Sequence, residues 1–169
     1  MNDTVIRSPF DVSDLGPHLT PNDIIDIVEA RLIAIGGEVQ GKGEYIYPVK
    51  HYFTPGLYVR EITMPEGAVL TSKIHKTEHP FVISKGKCLV YLNREDGWKE
   101  LSSPYIGITK PNTRRILAIL EETVWTTFHV TDLTDLLEIE DTLLESYENK
   151  LLPEGAKHPV IAVEVEESK

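Results

Sequence analysis

The stretch from Gly67 to Gly86, GAVLTSKIHKTEHPFVISKG, contains the most informative spacing in this 169-residue chain. Lys73 and His75 stand two positions apart within it, and His79 follows four positions after His75. Gly86 closes the stretch seven positions after His79. Two glycines thus enclose Lys73, His75 and His79 at a defined spacing, and this spacing is the starting point for both the fold and the site.

The spacing resembles the first signature of the cupin superfamily, G(x)5HxH(x)3E(x)6G. Lys73 and His75 stand at its two His positions, and His79 stands at its Glu position. The resemblance implies a mainly β fold, a cupin-type antiparallel β-barrel of the jelly-roll kind, in which all three positions face the interior. Because the glycines and the spacing are kept while two of three ligand types differ, the fold is better specified than the chemistry.

A second cupin signature, G(x)5PxG(x)2H(x)3N, is matched only in part. Pro111-Asn112-Thr113 stands where PxG is expected, and Ile116 occupies the His position. The stretch TRRILAILEETVWTTFH, residues 113–129, is also similar to small cupin-like proteins encoded by tailed bacteriophages. That similarity covers the central barrel and implies no particular chemistry.

A replacement for the missing histidine is present in the same region. The β-like runs 114–120 and 123–130 flank two glutamates at 121–122, and this pattern predicts a hairpin that turns at those glutamates. In such a hairpin Arg114 lies opposite His129, and side-chain alternation directs His129 to the face of the vacant ligand position. A register shift of one residue would instead turn His129 outward.

Together, His75, His79 and His129 form a candidate three-histidine metal site. Imidazole nitrogen suits Zn, Mn, Fe or Ni, and three protein ligands leave positions open for water or substrate. Glu78 is a further candidate, as a fourth ligand or general base, provided that a turn near Pro80 lets it face inward beside His79. The alternative is that these histidines are ordinary core or surface residues with satisfied hydrogen bonds.

Lys73 argues for a different or additional ligand. An ammonium at a metal-ligand position repels a cation, whereas an inward-facing Lys73 would bind a carboxylate or phosphate group, assisted by Arg60, Arg114 or Arg115. The alternative is a lysine that extends to solvent at the barrel mouth. Trp125 is expected to line or pack the same interior.

Composition excludes several classes of function. The net charge of −10 and pI of about 5.0 disfavour binding to phosphate backbones, so no nucleic-acid partner is expected. No apolar run approaches the roughly 20 residues that span a bilayer, so no membrane partner is expected either. The single cysteine, Cys88, excludes an internal disulfide and favours a cytoplasmic location. Acidic residues of the C-terminal region, including Glu140, are interpreted as solvated.

The chain divides into three parts of one structural domain: an N-terminal arm and helix over 1–40, the barrel over 41–131, and a C-terminal helix and tail over 132–169. The first helix is predicted from the N-cap Thr20 to the terminating glycines 36–37, and the second from about Asp132 to Tyr147. The tail PVIAVEVEE is either an edge strand or loose. The predicted strands are Glu44–Val49, Leu57–Met64, Phe81–Ile83, Lys87–Asn93, Ile106–Thr109, Arg114–Leu120 and Thr123–Val130.

These features predict a cavity that binds a small polar or anionic molecule, with a divalent metal on the histidines. Hydrolysis, isomerisation and oxygenation all stay open, and no catalytic residue is assigned. The alternative is a metal-free barrel that binds or sequesters a ligand, or a structural module. Cupins commonly pair through strands or flanking helices, so the two amphipathic helices predict a homodimer.

Overall fold

The computed structural model describes residues 11–40, 43–152 and 160–164, the last range as backbone alone. Within this part of the chain the helices are α1 (Pro21–Ala34) and α2 (Leu136–Leu143). The strands are β1 (Glu38–Gln40), β2 (Val49–Thr54), β3 (Leu57–Met64), β4 (Ala68–Thr71), β5 (His79–Tyr91), β6 (Trp98–Ser102), β7 (Tyr105–Thr109), β8 (Ile116–Val130) and β9 (Val160–Glu164).

The strands form two half-sheets that share β5 and β8. The first half-sheet has the order β2-β3-β8-β5-β7 and uses the end of β8 and the start of β5. The second has the order β1-β9-β4-β8-β5-β6 and uses the other halves of the shared strands. All these pairings are antiparallel. Side chains from both half-sheets, including Met64, Leu70, Ile83, Leu117 and Trp125, form one buried core.

β5 and β8 pass from one half-sheet to the other by bending together. Their register shifts between Ile83 and Cys88, and Gly86 lies in this irregular region with φ of 91°. A Cβ atom at Gly86 would collide with the backbone carbonyl of Glu122 and lie 2.6 Å from the Thr123 hydroxyl oxygen. The second glycine of the sequence signature is therefore required where the two strands cross between half-sheets.

α1 covers the outer face of the second half-sheet. Thr20 caps the helix, accepting a hydrogen bond from the Asp23 backbone N–H while the Asp23 carboxylate accepts one from the Thr20 N–H. Ile25 and Val28 of the helix are fully buried in a cluster that also contains Val69. This cluster explains why the second half-sheet is apolar on both faces.

α2 covers the open end of the barrel. Ile139 and Leu143 pack on Tyr58 of β3. The helix end is joined to the segment between β4 and β5, because the Lys76 N–H donates to the Leu143 carbonyl at 2.8 Å and the Glu145 N–H donates to the Ile74 carbonyl at 2.9 Å. α2 thus forms one wall of the space between the half-sheets.

The predicted mainly β, antiparallel architecture with an N-terminal and a C-terminal helix is confirmed, although β9 follows α2 and the sheet formed by the described residues is not closed into a continuous ring. The strand over Leu57–Met64 and the helix start at Thr20 are also correct. None of the helices in the described ranges is long and apolar enough to cross a membrane.

Four details of the prediction are wrong. No hairpin turns at residues 121–122, because β8 is one continuous strand that bends there. The two runs predicted over 81–83 and 87–93 are likewise one strand, β5. Residues 44–48 lie in turns and loops, and α2 begins only at its N-cap Asp135 and ends at Leu143. The tail contributes β9 between β1 and β4, while residues 1–10 of the predicted arm lie outside the described part of the chain.

The shared bend makes Gly86→Ala a test of this architecture. Alanine there must adopt a left-handed φ and also displace the Glu122 carbonyl, so we expect a loss of about 3 kcal/mol in the free energy of unfolding, measured by urea denaturation. Gly36→Ala is the matched control, because Gly36 has φ of 95° but no atom within 4 Å of the point where a methyl group would be added. We expect about 1 kcal/mol for that control. Equal losses in the two variants would contradict the role of the bend.

Candidate metal centre

Three histidines from separate parts of the chain meet at one end of the barrel. His79 is the first residue of β5, and His129 is the second-last residue of β8. Because the two strands are antiparallel and Phe81 pairs with Thr127, the register leads His79 to the side of His129. His75 lies between β4 and β5, where an isolated bridge to Leu144 fixes the backbone.

The three imidazole rings are in mutual contact, and we refer to them as the histidine cluster. The ring centroid of His79 lies 4.5 Å from those of both His75 and His129, and the His75 and His129 centroids are 5.3 Å apart. One ring nitrogen from each residue can be chosen so that all three lie within 4.8 Å of one another. Nitrogens bound to one ion at about 2.1 Å lie at most about 4.2 Å apart, so a small inward movement of the rings would let them share an ion.

The hydrogen bonds around the cluster leave lone pairs available. His79 Nδ1 lies 3.1 Å from the Thr77 carbonyl oxygen, which can only accept, so Nδ1 carries the proton and Nε2 keeps its lone pair. His129 Nε2 lies 2.9 Å from the Thr127 hydroxyl oxygen, and its buried Nδ1 has no partner among the described residues. When Nε2–H donates to that hydroxyl, Nδ1 is also free to bind a metal.

Burial keeps the cluster uncharged. Loss of hydration lowers the pKa of His129 to about 3, with His79 and Arg60 as smaller causes. Burial also lowers the pKa of His79, and it lowers that of His75 well below the ordinary 6.5, reinforced there by the other two histidines. Neutral imidazole is the form that binds metals, so the cluster does not have to lose protons at neutral pH before binding.

The cluster opens into a cavity of about 130 Å³ between the half-sheets. Tyr58 of β3 and Trp125 of β8 contribute aromatic walls, and Leu136 and Ile139 of α2 contribute the wall at the barrel end. Trp125 stacks on Phe81 with ring centroids 4.3 Å apart and planes 12° apart. The expected position of Trp125 at the interior therefore agrees with the structure.

Lys73 lines this cavity but is already paired. Its Nζ donates to Glu140 Oε1 of α2 at 3.0 Å, with the two side chains only 12% and 16% exposed. The charge that the sequence places at a ligand position is therefore compensated. The interpretation of Glu140 as a solvated residue is wrong, because α2 turns its Leu136 and Leu143 inward and Glu140 shares their helix face.

The remaining candidate site residues separate into two groups. Arg60 lines the cavity, as does Arg115, which donates to the Thr109 hydroxyl at 2.7 Å. Arg114 lies outside it, beneath α1. Glu78 also lies outside it, in an exposed ion pair of 2.9 Å with Lys110.

Arg114 has a structural environment of its own. It forms ion pairs of 2.7 Å with Asp26 and 2.9 Å with Glu29, which is fully buried. Asn149 donates to the Glu29 carboxylate at 2.8 Å and ties the segment after α2 to the same network. A buried ion pair with these additional hydrogen bonds holds α1 on the barrel, and it places Arg114 away from any cavity ligand.

His51 and Tyr58 form a contact beside the cluster that the sequence did not indicate. The Tyr58 hydroxyl lies 2.6 Å from His51 Nδ1, and the Tyr58 ring stacks on His129 with centroids 5.8 Å apart. The residues come together because β2 and β3 place His51 opposite Arg60 on the interior face. The strand neighbours of His51 indicate from the sequence that it could lie near the cavity mouth, but the predicted strand over 44–49 ends before it.

Comparison with known proteins finds similarity to solved structures only, since no family model and no curated protein matches the chain. Ectoine synthase from P. lautus is 10% identical with a TM-score of 0.49, over 72% of this chain and 80% of that one. A cupin-2 domain protein from Shewanella frigidimarina is 10% identical with a TM-score of 0.43, over 52% and 84%.

A cupin family protein with a double-stranded β-helix fold from Methanocaldococcus jannaschii is 12% identical with a TM-score of 0.43, over 56% of this chain and 90% of that one. The Shewanella and Methanocaldococcus proteins are both cupins. With TM-scores below 0.5, none of the three structures carries an argument about the chemistry of the histidine cluster.

Proposed function

We propose that this protein binds a divalent metal ion on His75, His79 and His129 and a small polar or anionic molecule in the adjoining cavity. The observation that carries the proposal is the convergence of three imidazoles on one point, two of them buried and one half-buried, with the pKa of each lowered by loss of hydration. An unpaired Nδ1 on His129 supports it further, because a buried polar atom without a partner is unfavourable unless something binds it.

The donor set fits Zn, Mn, Fe or Ni. Three nitrogen ligands are typical of sites that keep open coordination positions, and a metal held there would supply Lewis acidity to a bound oxygen group. The chain's own residues have separate roles: Thr77 and Thr127 orient His79 and His129 through hydrogen bonds, and α2 restricts the access of water.

A second candidate function is supported by the cationic surroundings of the cluster. Arg60 and Arg115 are both close enough to His75 to lower its pKa, and two guanidinium groups also oppose the binding of a dication. The same cavity would then bind an anion directly, without a metal. This metal-free, non-catalytic binding protein is the alternative that the first experiment has to separate.

The metal content of untagged protein is the deciding measurement. We expect close to one equivalent of metal per chain by elemental analysis, natively or after reconstitution with Zn, Mn, Ni or Fe. His75→Ala and His129→Ala should reduce it at least tenfold, because each removes one of three ligands. His18→Ala, at an exposed histidine far from the cluster in sequence, should leave it unchanged. No metal in any preparation, or equal loss in the control, would contradict the proposal.

We also propose that the chain is a cytoplasmic member of the cupin superfamily and one structural domain divided at residues 40 and 131. The spacing from Gly67 to Gly86, the two half-sheets and the unpaired, buried Cys88 support these proposals. The similarity to phage-encoded proteins stays a prediction.

A homodimer is proposed on a different surface from the one the sequence favoured. α1 buries its apolar side on the barrel and α2 covers the cavity, so neither helix offers a large apolar face. The outer face of the first half-sheet does: Ile106, Ile108 and Val130 are 73%, 53% and 87% exposed. A second copy is the proposed occupant because one apolar patch can cover itself about a two-fold axis.

Light scattering measures the oligomeric state directly. We expect the molar mass of a dimer, and Ile106→Glu should shift it to that of a monomer because it buries a charge in the contact. Leu151→Glu, at a residue that is 59% exposed on another part of the surface, is the matched control and should remain dimeric. A monomeric parent protein would contradict the proposal.

A further inference from the structure

Two guanidinium groups line the cavity without a carboxylate partner among the described residues. Arg115 has one hydrogen bond there, to the Thr109 hydroxyl, and Arg60 has none. Both are largely removed from solvent, and burial lowers the pKa of Arg115 to about 10. A buried cation without a counter-ion is unfavourable, so such a pair in a cavity points to a negatively charged occupant.

Other buried cations of the same chain are each paired with a carboxylate. Arg114, the sequence neighbour of Arg115, has two carboxylates at 2.7 and 2.9 Å. Lys73, in the wall of the same cavity, has Glu140 at 3.0 Å. Arg60 and Arg115 are therefore exceptions within the described part of this protein, and both exceptions face one cavity.

The surroundings of the two arginines hold them without neutralising them. The Arg115 guanidinium lies 5.4 Å from the centroid of the Phe81 ring and 5.6 Å from that of Trp125. The Arg60 guanidinium lies 5.8 Å from the centroid of the Tyr45 ring. Contacts with aromatic faces favour a cation and fix the plane of its fork while leaving N–H donors available for a ligand.

The cavity is positive inside an acidic protein. Arg60, Lys73 and Arg115 line it, whereas Glu140 is the only acidic residue among its described lining residues, which leaves an excess of two positive charges. The chain as a whole has a net charge of −10. Positive charge concentrated in one enclosed place is specific for an anion, and two uncompensated charges match a dianion better than a monoanion.

We propose that the ligand of this cavity is a small dianion, a dicarboxylate or a phosphate, held by Arg60 and Arg115 through charge-assisted hydrogen bonds beside the histidine cluster. The dianion proposal rests on the proposed function, because it names the class of molecule that the same cavity binds. It does not depend on the metal, because the two arginines belong to the protein in either state. The volume of about 130 Å³ suits a small ligand of this kind.

Isothermal titration calorimetry at constant ionic strength tests the assignment. The probes are malonate, succinate and inorganic phosphate, with acetate as the monoanion, added to chelator-treated protein and, for the carboxylates, to zinc-loaded protein. We expect at least one dianion to bind at least tenfold more tightly than acetate. The identity of that dianion separates a dicarboxylate ligand from a phosphate ligand.

Variants assign the binding to the two arginines. Arg60→Gln and Arg115→Gln should each weaken dianion binding at least tenfold, and Arg115→Lys should restore part of the loss by restoring the charge. Arg94→Gln, the same change at an exposed arginine, should have no effect. Circular dichroism melting of each variant confirms that the comparison is made between folded proteins.

The two proposals fail in different ways. Dianion binding that depends on both arginines in protein unable to bind metal would support this inference and overturn only the metal site. Zinc binding without a preference for dianions, or an equal loss in Arg94→Gln, would overturn this inference and leave the metal site intact.

Discussion

The antiparallel pairing of β5 with β8 along both strands is the constraint on which the rest of the structure depends. Each strand contributes one half to each half-sheet, so the core between the half-sheets exists only if both strands bend at the same place. Gly86 makes that bend possible beside Glu122. The same pairing brings the start of β5 to the end of β8, and this is why His79 and His129 meet. The histidine cluster is thus a consequence of strand direction and register.

The two helices supply the carboxylates that pair with buried cations of the strand region. α1 provides Asp26 and Glu29 to Arg114, and α2 provides Glu140 to Lys73, so both helices compensate cations that the strands carry inward. Among the described residues no carboxylate forms an ion pair with Arg60 or Arg115, although Glu140 lies near enough to Arg60 to act on its charge. An uncharged imidazole cluster beside two uncompensated guanidiniums is poorly suited to a closed apolar core and well suited to a polar ligand.

Local patterns in the sequence were sufficient for part of this arrangement. The signature spacing correctly directs Lys73, His75 and His79 to one cavity, although Lys73 and His75 lie in the segment between β4 and β5 and not on one strand as alternation assumes. The Thr20 capping signal correctly starts α1. His129 faces the interior as expected, but because β8 is continuous and pairs it with Tyr58, not because of a hairpin. Arg114 and Arg115 are adjacent and face opposite ways, Arg114 toward α1 and Arg115 into the cavity, and the irregular pairing of β5 with β8 changes this alternation relative to His129. Glu140 reaches Lys73 across 67 residues of sequence, a contact that no local pattern contains.

The central claim is that His75, His79 and His129 are neutral and hold a common metal ion, and long-range ¹H–¹⁵N correlation NMR of the histidine side chains tests it most directly. At pH 7 in chelator-treated protein, we expect three mainly neutral rings, because burial lowers the pKa of each below its ordinary 6.5. His79 should carry its proton on Nδ1. One equivalent of zinc should then shift a single nitrogen of each of these three rings and leave His18 unchanged. Rings that are protonated at pH 7, or zinc shifts spread over other histidines, would contradict this claim.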